Sequence, residues 1–414
     1  MRTDTAALRE RVRSLPGMDR LLPALDGLPP CYLVGGAVRD LLRGSRAVDL
    51  DLAVEGDAPA VARELARRLG GEAVEHGRFG TATVRAGELS VDLATTRRER
   101  YPRPGALPEV EPAPLAEDLS RRDFTINAMA IALAAEGLGR LHDPHGGARD
   151  LEAGVVRVLH PQSFRDDPTR LLRAVRYEAR LGFRMDGETE RLARAAAAAG
   201  AFATVSGKRI RDELMDLLRE GQAPAAVARL EELGLAAALH PRLHADAERV
   251  ASAQLGCTET GADPGLAALA VLVGPDAEPL TEWVEELQLG SQARDAVLRA
   301  AARGPAIAAA LRAEPDAPPS RLRELLRGEP AEALALALAY GAPAEPLLRW
   351  VTELRHVRLE IDGDDLLAAG VEPSPALGAA LEATLRRKLD GELSGREAEL
   401  AAALAHVRGE EGRP

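Results

Sequence analysis

The first 150 or so residues alternate between short apolar, β-branched runs and stretches with helical spacing. Such runs are typical of strands when turn-forming residues bound them. We predict strands at Cys31–Val34, Val48–Val54, Gly80–Val84 and Leu89–Leu93. Apolar positions recur at helical spacing over Ala58–Leu69, which predicts a helix between the second and third strands.

A proline-rich stretch, Tyr101–Leu119, follows the predicted strands, with prolines at 102, 104, 108, 112 and 114. Proline lacks a backbone N–H and fixes φ, so it excludes a regular helix and weakens a central strand. We expect this segment to be a mobile loop or flap.

After about residue 155, apolar residues recur at helical spacing in nearly every segment and alanine is abundant. This pattern predicts an all-helical remainder. Breaks between helices are predicted at Ala197–Val205, Glu259–Gly265, Ala313–Pro319 and Tyr340–Glu345. The chain as a whole is therefore predicted to be α+β, with a small mixed sheet followed by helices.

The composition excludes several classes of protein. Of the 414 residues, 29% are charged and 46% are hydrophobic, which is typical of a soluble globular protein. The sequence contains no run of about 18 apolar residues, so no membrane span is predicted. Residues 1–20 lack the apolar core of a signal peptide. Cys31 and Cys257 cannot build a zinc site or a disulfide framework, which fits the cytoplasm. The net charge of −12 argues against indiscriminate polyanion binding but allows a specific RNA partner.

Two aspartates stand at alternate positions of the second predicted strand. Asp49 and Asp51 would point to the same face of Val48–Val54, because side chains alternate along a strand. Asp92 lies in the neighbouring strand Leu89–Leu93. Carboxylates on adjacent strands can hold one or two Mg²⁺ ions, which activate a hydroxyl and bind pyrophosphate oxygens. The alternative, which the sequence alone leaves open, is a solvated strand face.

A glycine pair follows the first predicted strand. Gly35-Gly36 lies where Cys31–Val34 gives way to a short helical pattern. Glycines at a strand-to-helix turn let backbone N–H groups approach a phosphate, and Arg39, one turn into the helix, could reach the same anion. A tight turn without a ligand is the alternative.

A third pattern begins at Asp167-Pro168, where aspartate as N-cap and proline at the first position predict a helix start. Arg170, Arg173 and Arg176 recur every three residues and so lie along one side of this helix. The alternatives are a capping aspartate with a solvated cationic face, or a site for an anionic ligand.

Five blocks of the sequence resemble, in order and spacing, the bacterial class II tRNA nucleotidyltransferases. These are the CCA-adding enzymes, and the bacterial poly(A) polymerases are related to them. The blocks are LVGGAVRDLLRG at 33–44, VDLDLAV at 48–54, SRRDFTINAMAIAL at 120–133, LHDPHGGARDLEAGVVRVL at 141–159 and FRDDPTRLLRAVRYEARLGF at 164–183. The resemblance is close over residues 31–220 and looser beyond.

The resemblance implies a fold of four parts. These are a nucleotidyltransferase head at 1–155 with the metal site, a helical neck at 156–222 with the base-selecting helix, a helical body at 223–330, and a helical tail at 331–414 that contacts the tRNA elbow. Some relatives carry a metal phosphohydrolase domain. We predict none here, because His240 and His244 lack a supporting acidic cluster.

The resemblance also implies roles for single residues. Arg122 binds nucleotide, Asn127 lies near the ribose, and Asp123 holds an arginine while capping a helix over Phe124–Ala134. Asp143 and Asp150 are structural. The predicted catalytic residues are Asp49, Asp51 and Asp92, of which Asp49 and Asp51 bind metal, and the predicted nucleotide-binding residues are Gly36, Arg39, Arg122, Asp123, Asn127, Asp167, Arg170, Arg173 and Arg176.

By resemblance, Asp167 and Arg170 read the incoming base as an amino-acid template, while Arg173 and Arg176 meet the triphosphate. A carboxylate only accepts hydrogen bonds and a guanidinium only donates them. Cytosine and adenine each offer an amino donor beside a ring-nitrogen acceptor, which fits the pair. Uracil and guanine turn a carbonyl oxygen toward the carboxylate, and an unpaired carboxylate costs roughly 1–3 kcal/mol.

The implied activity is Mg²⁺-dependent addition of C and A from CTP and ATP to the 3′ end of tRNA, whose acceptor arm and elbow the enzyme grips. No membrane and no nucleic acid other than RNA is expected as a partner. Addition of A alone, addition of CC alone, and poly(A) synthesis are the alternatives, and segment 101–119 looks like that of A-adding or poly(A)-type relatives. A degenerate RNA-binding scaffold is the alternative of a different class.

Overall fold

Strands gather in the first 185 residues, and helices make up nearly all of the rest. The computed structural model describes residues 4–45, 49–77 and 80–409. The strands in these ranges are β1 (Cys31–Val34), β2 (Leu50–Val54), β3 (Glu72–His76), β4 (Thr81–Ala86), β5 (Leu89–Thr95), β6 (Arg97–Arg100), β7 (Glu109–Pro112), β8 (Ala130–Ala132), β9 (Leu141–His142), β10 (Val155–Val156) and β11 (Arg184–Met185).

The α-helices of the same ranges are α1 (Thr5–Arg13), α2 (Met18–Ala24), α3 (Gly36–Arg43), α4 (Ala58–Leu69), α5 (Leu115–Ser120), α6 (Gly147–Ala153), α7 (Ser163–Asp166), α8 (Thr169–Leu181), α9 (Gly187–Ala198), α10 (Gly207–Arg219), α11 (Ala223–Glu232), α12 (Leu235–Leu239), α13 (Ala247–Thr260), α14 (Pro264–Val273), α15 (Thr281–Glu286), α16 (Ser291–Ala313), α17 (Pro319–Leu326), α18 (Ala331–Ala339), α19 (Ala344–Thr352), α20 (Gly363–Ala368), α21 (Pro375–Leu389) and α22 (Arg396–Arg408). Short 3₁₀ turns lie at Thr125–Asn127, Ala135–Gly137, Ala201–Thr204, Glu278–Leu280 and Leu354–His356.

The chain divides into two compact units. The first comprises residues 1–217 and 229–241, and the second residues 218–228 and 242–414. In the second unit α13, α14, α16 and α18 pack on one another. A separate apolar cluster there, around Leu366, Ala380 and Ala403, joins α20, α21 and α22. The predicted α+β class is confirmed, whereas the four-part division into head, neck, body and tail stays a prediction.

A seven-stranded mixed sheet, in the order β3-β4-β5-β2-β1-β8-β9, is the core of the first unit. β2 pairs in parallel with β5, and this register sets Asp51 beside Asp92 and Leu52 beside Leu93. The two leucines and Leu65 of α4 are buried. Because alternate residues of a strand face opposite ways, burying the leucines turns the aspartates to the other face of the sheet.

The predicted elements of the sheet agree with the structure at most positions. β1 and α4 have their predicted bounds, and β5 begins at Leu89 as predicted and continues to Thr95. β2 begins at Leu50, so Asp49 immediately precedes the strand, while Val48 lies outside the described residues. Gly80 is in a turn before β4.

The expected loop over Tyr101–Leu119 is wrong in part. β7 pairs antiparallel with β6 as a separate two-stranded ribbon, and Pro112 stands opposite Arg97 at its end. Proline has no backbone N–H. It is tolerated there because an edge strand leaves some of its backbone N–H positions without a hydrogen-bond partner on a neighbouring strand. Pro114 then occupies the N-cap of α5.

The predicted helix Phe124–Ala134 is wrong. A single 3₁₀ turn, Thr125–Asn127, leads into β8, which pairs with β1. Continuous apolar runs fit a buried strand and a buried helix equally well. The β1 edge supplies hydrogen-bond partners for Ala130–Ala132, which decides the outcome.

The prediction of helices after about residue 155 holds, apart from β10 and β11, two-residue strands that pair in parallel. The predicted breaks match the ends of α9, α13, α16 and α18. Over the described ranges, no helix has the length and apolar character needed to cross a membrane.

Candidate active site

A polar cavity of about 500 Å³ opens in the first unit. Its volume lies in the range of roughly 300–1,000 Å³ common to small-ligand sites. Of the predicted site residues, those that line it are Gly36, Asp51, Arg122, Asp123, Asn127, Asp167, Arg170 and Arg173. The predicted residues Asp49, Asp92, Arg39 and Arg176 are not in its lining.

Asp51 is the carboxylate that reaches the cavity from the sheet. It is partly buried, whereas Asp49 and Asp92 are exposed, and the Thr83 hydroxyl donates to Asp92. Burial, and then the negative charges of Asp92 and Asp49, raise the pKa of Asp51 to about 6, while Arg122 acts in the opposite sense. No described residue forms an ion pair or a side-chain hydrogen bond with Asp51, so this carboxylate has negative neighbours and no compensating partner.

Carboxylate oxygens are suitable ligands for a divalent cation, but these side chains do not lie close enough together to form a complete metal site. No group of three or more His, Cys, Asp or Glu side chains within the described ranges is close enough to hold a metal ion. Asp51, however, is a hard oxygen ligand whose ionised form is disfavoured by its surroundings. A Mg²⁺ ion would reverse that imbalance, so the residues fit this ion.

The glycine turn has a conformation that favours glycine. Gly35 has φ 65° and ψ −130°, and a Cβ there would lie 2.9 Å from Nη1 of Arg122. Arg39, the expected anion ligand, is buried instead. It donates to Asn127 Oδ1 at 2.8 Å and pairs with Asp40, so in this structure Arg39 orients Asn127 rather than facing the cavity.

Asp123 lies at the centre of a buried network. Its Oδ2 accepts from Nε and Nη2 of Arg173, at 2.9 and 2.8 Å, and its Oδ1 accepts from Asn127 and from the Phe124 amide. Burial alone would raise the pKa of Asp123, but the charge of Arg173 and these hydrogen bonds lower it. The predicted contact between Asp123 and an arginine is present, and the predicted cap of a long helix is replaced by the bond to the Phe124 amide.

Arg122 has one N–H group without a hydrogen-bond acceptor among the described residues. Its Nη2 donates to Asp118 Oδ2 at 2.9 Å. Its Nε is buried and has no acceptor in the part of the chain that the structure describes. Buried donors are rarely left unpaired unless a ligand or water completes them, so Arg122 is equipped to meet an acceptor in the cavity.

The three arginines of α8 that the spacing singled out are bound by other protein groups rather than solvated. Arg173 also pairs with Glu213, and Arg176 pairs with Asp216. Arg170 is buried and donates to Ser163 Oγ and to the Arg121 carbonyl, both at 2.8 Å. Acidic residues therefore match Arg173 and Arg176, and neutral acceptors bind Arg170.

The helix α8 begins one residue later than predicted. Pro168 is its N-cap and Thr169 its first residue. Asp167 still satisfies the helix start, because its Oδ1 accepts from the Thr169 amide and hydroxyl, at 3.0 and 2.6 Å. Arg209 of α10 pairs with the same oxygen at 2.8 Å.

Several lining residues escaped the sequence reasoning, namely Glu99, Tyr101, Arg121, Thr169, Tyr177, Arg209, Asp212 and Glu213, whereas Gly35 belongs to the glycine turn that it had named. Those on α10 carried a signal, since Arg209, Asp212 and Glu213 have the i, i+3, i+4 spacing of one helix face. Tyr101 follows β6 directly and donates a hydrogen bond to Glu99 of that strand, but the expectation of a loop from residue 101 onward concealed Tyr101.

Comparison with known proteins shows the family to which this chain belongs. The poly A polymerase head domain matches residues 31–157, and the probable RNA and SrmB-binding site of polymerase A matches residues 182–246. A CC-adding tRNA nucleotidyltransferase of Deinococcus radiodurans is 34% identical over 382 residues, which cover 91% of this chain and 89% of that protein. The chain belongs to the tRNA nucleotidyltransferase family.

Other members of the family are similar over most of this chain. An A-adding tRNA nucleotidyltransferase of Geobacter sulfurreducens is 35% identical over 404 residues, which cover 91% of this chain and 45% of that protein. The Thermotoga maritima CCA-adding enzyme complexed with tRNA has a TM-score of 0.77 at 33% identity, with 98% of both chains covered. The chain spans between 23% and 48% of the length of the first curated A-adding relatives that it matches.

Proposed function

We propose that this chain transfers a nucleotide from a nucleoside triphosphate to the 3′ end of tRNA, and that the nucleotide is the terminal adenosine. The observation that carries the proposal is the lining of one cavity by Asp51, Asp167 and Arg170. A carboxylate suited to a cation and a donor-acceptor pair suited to a base edge thus face the same space.

Base choice would depend on Asp167, just before α8, and on Arg170 within it. Oδ1 of Asp167 is occupied by protein donors, whereas Arg170 uses only two of its N–H groups on Ser163 and Arg121. A guanidinium has five N–H groups, so Arg170 retains donors for a ring nitrogen. The free oxygen of Asp167 accepts from the amino group of adenine.

The guanidinium groups of Arg122 and Arg173 would bind the phosphates, beside the backbone of Gly36. The 3′-hydroxyl oxygen of the tRNA forms a bond to the α-phosphorus, and the bond to pyrophosphate breaks. A divalent ion held by Asp49 and Asp51 would supply activation of the hydroxyl and neutralisation of the leaving group. The protein residues align the two substrates and compensate the charges.

Addition of A alone is supported by two observations. Three A-adding relatives are 35% to 51% identical over the residues that they match, whereas the CC-adding Deinococcus relative is 34% identical. The segment between β6 and β7, part of the stretch 101–119 that looks like that of A-adding relatives, is held beside the base-selecting aspartate, since the Gly105 amide donates to the carbonyl of the neighbouring Asp166 at 3.2 Å. A segment held in place fits an enzyme that reads one base.

Full CCA addition from CTP and ATP is the second candidate. It is favoured by the likeness to the Thermotoga CCA-adding enzyme, which extends over 98% of both chains. Asp167 and Arg170 would also accept cytosine, because its amino group and ring nitrogen present the same donor and acceptor order as adenine.

Incorporation of labelled nucleotides tests the proposal. The protein is offered tRNA ending at the discriminator base, at C or at CC, with Mg²⁺ and one labelled nucleoside triphosphate at a time. We expect A to be added to the CC-ended tRNA alone. Incorporation of C into the two shorter tRNAs together with A into the CC-ended tRNA would replace A addition with CCA addition. Incorporation of C without A would indicate a CC-adding enzyme, and no incorporation into any tRNA would favour the RNA-binding scaffold. Asp51→Asn is the control for protein-dependent transfer.

A further inference from the structure

The carboxylate of Asp167 is bound unevenly. Oδ1 accepts from the Thr169 amide at 3.0 Å and from the Thr169 hydroxyl at 2.6 Å. Nη2 of Arg209 lies 2.8 Å from the same oxygen. No described residue donates to Oδ2. Since each carboxylate oxygen has about two lone pairs, Oδ1 is saturated and Oδ2 is available.

Arg209 has a second anchor in the ribbon of β6 and β7. Its Nη1 donates to the Gly105 carbonyl at 3.0 Å, and the Gly105 amide donates to the Asp166 carbonyl at 3.2 Å. One guanidinium thus joins α10, the base-selecting aspartate and the segment that follows β6. The Arg209 side chain is 23% exposed.

Close approach at Gly105 makes this arrangement depend on glycine. Gly105 has φ +67°, and a Cβ there would lie 2.3 Å from Oγ1 and 2.5 Å from the carbonyl oxygen of Thr204. The backbone carbonyl cannot move aside as a flexible side chain can. Any larger residue at position 105 would therefore displace the segment and remove the acceptor of Arg209.

We propose that Arg209 is a specificity-determining positioning residue, which holds Oδ1 of Asp167 so that Oδ2 alone faces the incoming base. This proposal rests on the proposed nucleotidyl transfer. A carboxylate with one fixed, open oxygen accepts the amino group of adenine or cytosine and repels the carbonyl oxygen of uracil or guanine. Without Arg209, the carboxylate gains rotational freedom and a second open position, so a water molecule or a base in another register can satisfy it.

The test is the ratio of kcat/KM for ATP to kcat/KM for UTP on the accepted tRNA, measured for wild type, Arg209→Met and Arg209→Lys. Methionine preserves apolar length without charge, and lysine restores the charge but cannot hold two acceptors in the same fork. We expect the ratio to fall by about ten- to a hundredfold in Arg209→Met, the range for loss of a charged hydrogen-bond partner. Arg209→Lys should recover part of it.

Gly105→Ala supplies an independent perturbation with a matched control. Gly87 also has positive φ, +65°, but nothing lies within 4 Å of the position of its Cβ. Alanine at 87 therefore imposes the backbone strain without the clash. We expect Gly105→Ala to lower the ATP-to-UTP ratio in the same direction as Arg209→Met, and Gly87→Ala to leave the ratio unchanged.

The outcomes separate this inference from the proposed function. Wild-type protein that transfers no nucleotide to any tRNA would refute the function itself. Active wild type with an unchanged ratio in Arg209→Met, or equal losses with ATP and UTP, would overturn the role of Arg209 alone. Should Arg209→Met fail to fold, as shown by circular dichroism, the ratios of Arg209→Lys and Gly105→Ala decide, and wild-type ratios in both would overturn the proposal.

Discussion

Replacing Asp51 with asparagine should stabilise the metal-free protein at neutral pH while it abolishes transfer. The side chain is partly buried and lies near the negative charges of Asp92 and Asp49, and these surroundings raise its pKa from 3.8 to about 6. Asparagine has nearly the same shape but no charge. The substitution therefore removes a repulsion that the folded protein sustains without metal.

The direction of the pH dependence follows from the raised pKa. Below about pH 4 the carboxyl is protonated in the folded and unfolded states, so it carries no penalty. The penalty grows as pH rises from about 4 to about 6 and is complete above about 6, because ionisation is harder in the folded state. A rise from 3.8 to about 6 corresponds to an upper limit of about 3 kcal/mol. Solvent screening of the exposed part reduces it to about 1–2 kcal/mol.

Thermal unfolding in EDTA measures this effect. For a unit of this size, 1–2 kcal/mol corresponds to a rise in Tm of about 2–8 °C at neutral pH, and the gain should vanish near pH 4. Glu72→Gln, which removes an exposed charge from the same sheet, should leave Tm nearly unchanged. Mg²⁺ should raise the Tm of wild type more than that of Asp51→Asn. A variant no more stable than wild type in EDTA at neutral pH would refute the reasoning.

Two further predictions concern buried ion pairs of the first unit. Asp123→Ala should lower the free energy of unfolding by roughly 1.5–3 kcal/mol, since it removes the buried partner of Arg173 while Glu213 still pairs with that guanidinium. Urea denaturation measures the loss, and a loss below about 1 kcal/mol would contradict the buried pairing. Arg229→Met should destabilise more than Glu178→Gln, because Arg229 retains Glu190 if Glu178 is neutralised, whereas buried Glu178 loses its cation when Arg229 is removed. The same urea series ranks the two variants, and the reverse order would be contrary evidence.

The elements that could be predicted were those with a strong local pattern. α4 has a single apolar stripe, an aspartate N-cap at Asp57 and a glycine C-cap at Gly70, and its predicted bounds were correct. The run Ala128–Leu133 lacks this combination of a single apolar stripe with a cap at each end. Its strand conformation depends on the edge of β1, which lies about a hundred residues earlier in the chain and cannot be inferred from local spacing.

The candidate site shows the same division. Strand alternation singled out Asp51, family resemblance gave Asp167 and Arg170 their base-reading role, and the structure places all three at one cavity. What neither motif nor spacing conveyed was the partner of each charge. Arg39 turns to Asn127, and Arg209 reaches Asp167 from a helix that begins 40 residues after it, because such pairings are decided by tertiary packing rather than by neighbours in sequence.

The distribution of paired and unpaired charges explains how such a polar cavity can be stable and still bind a highly charged substrate. Arg173 and Asp123 compensate each other, so the wall that holds them keeps its shape without a ligand. Asp51 and Nε of Arg122 are left without partners among the described residues. These two groups have opposite sign, and a cation-triphosphate complex carries both complementary charges. A bound ligand of this kind would supply partners for the two unsatisfied groups. The satisfied pair of Arg173 and Asp123 keeps the cavity wall in the geometry that such binding requires.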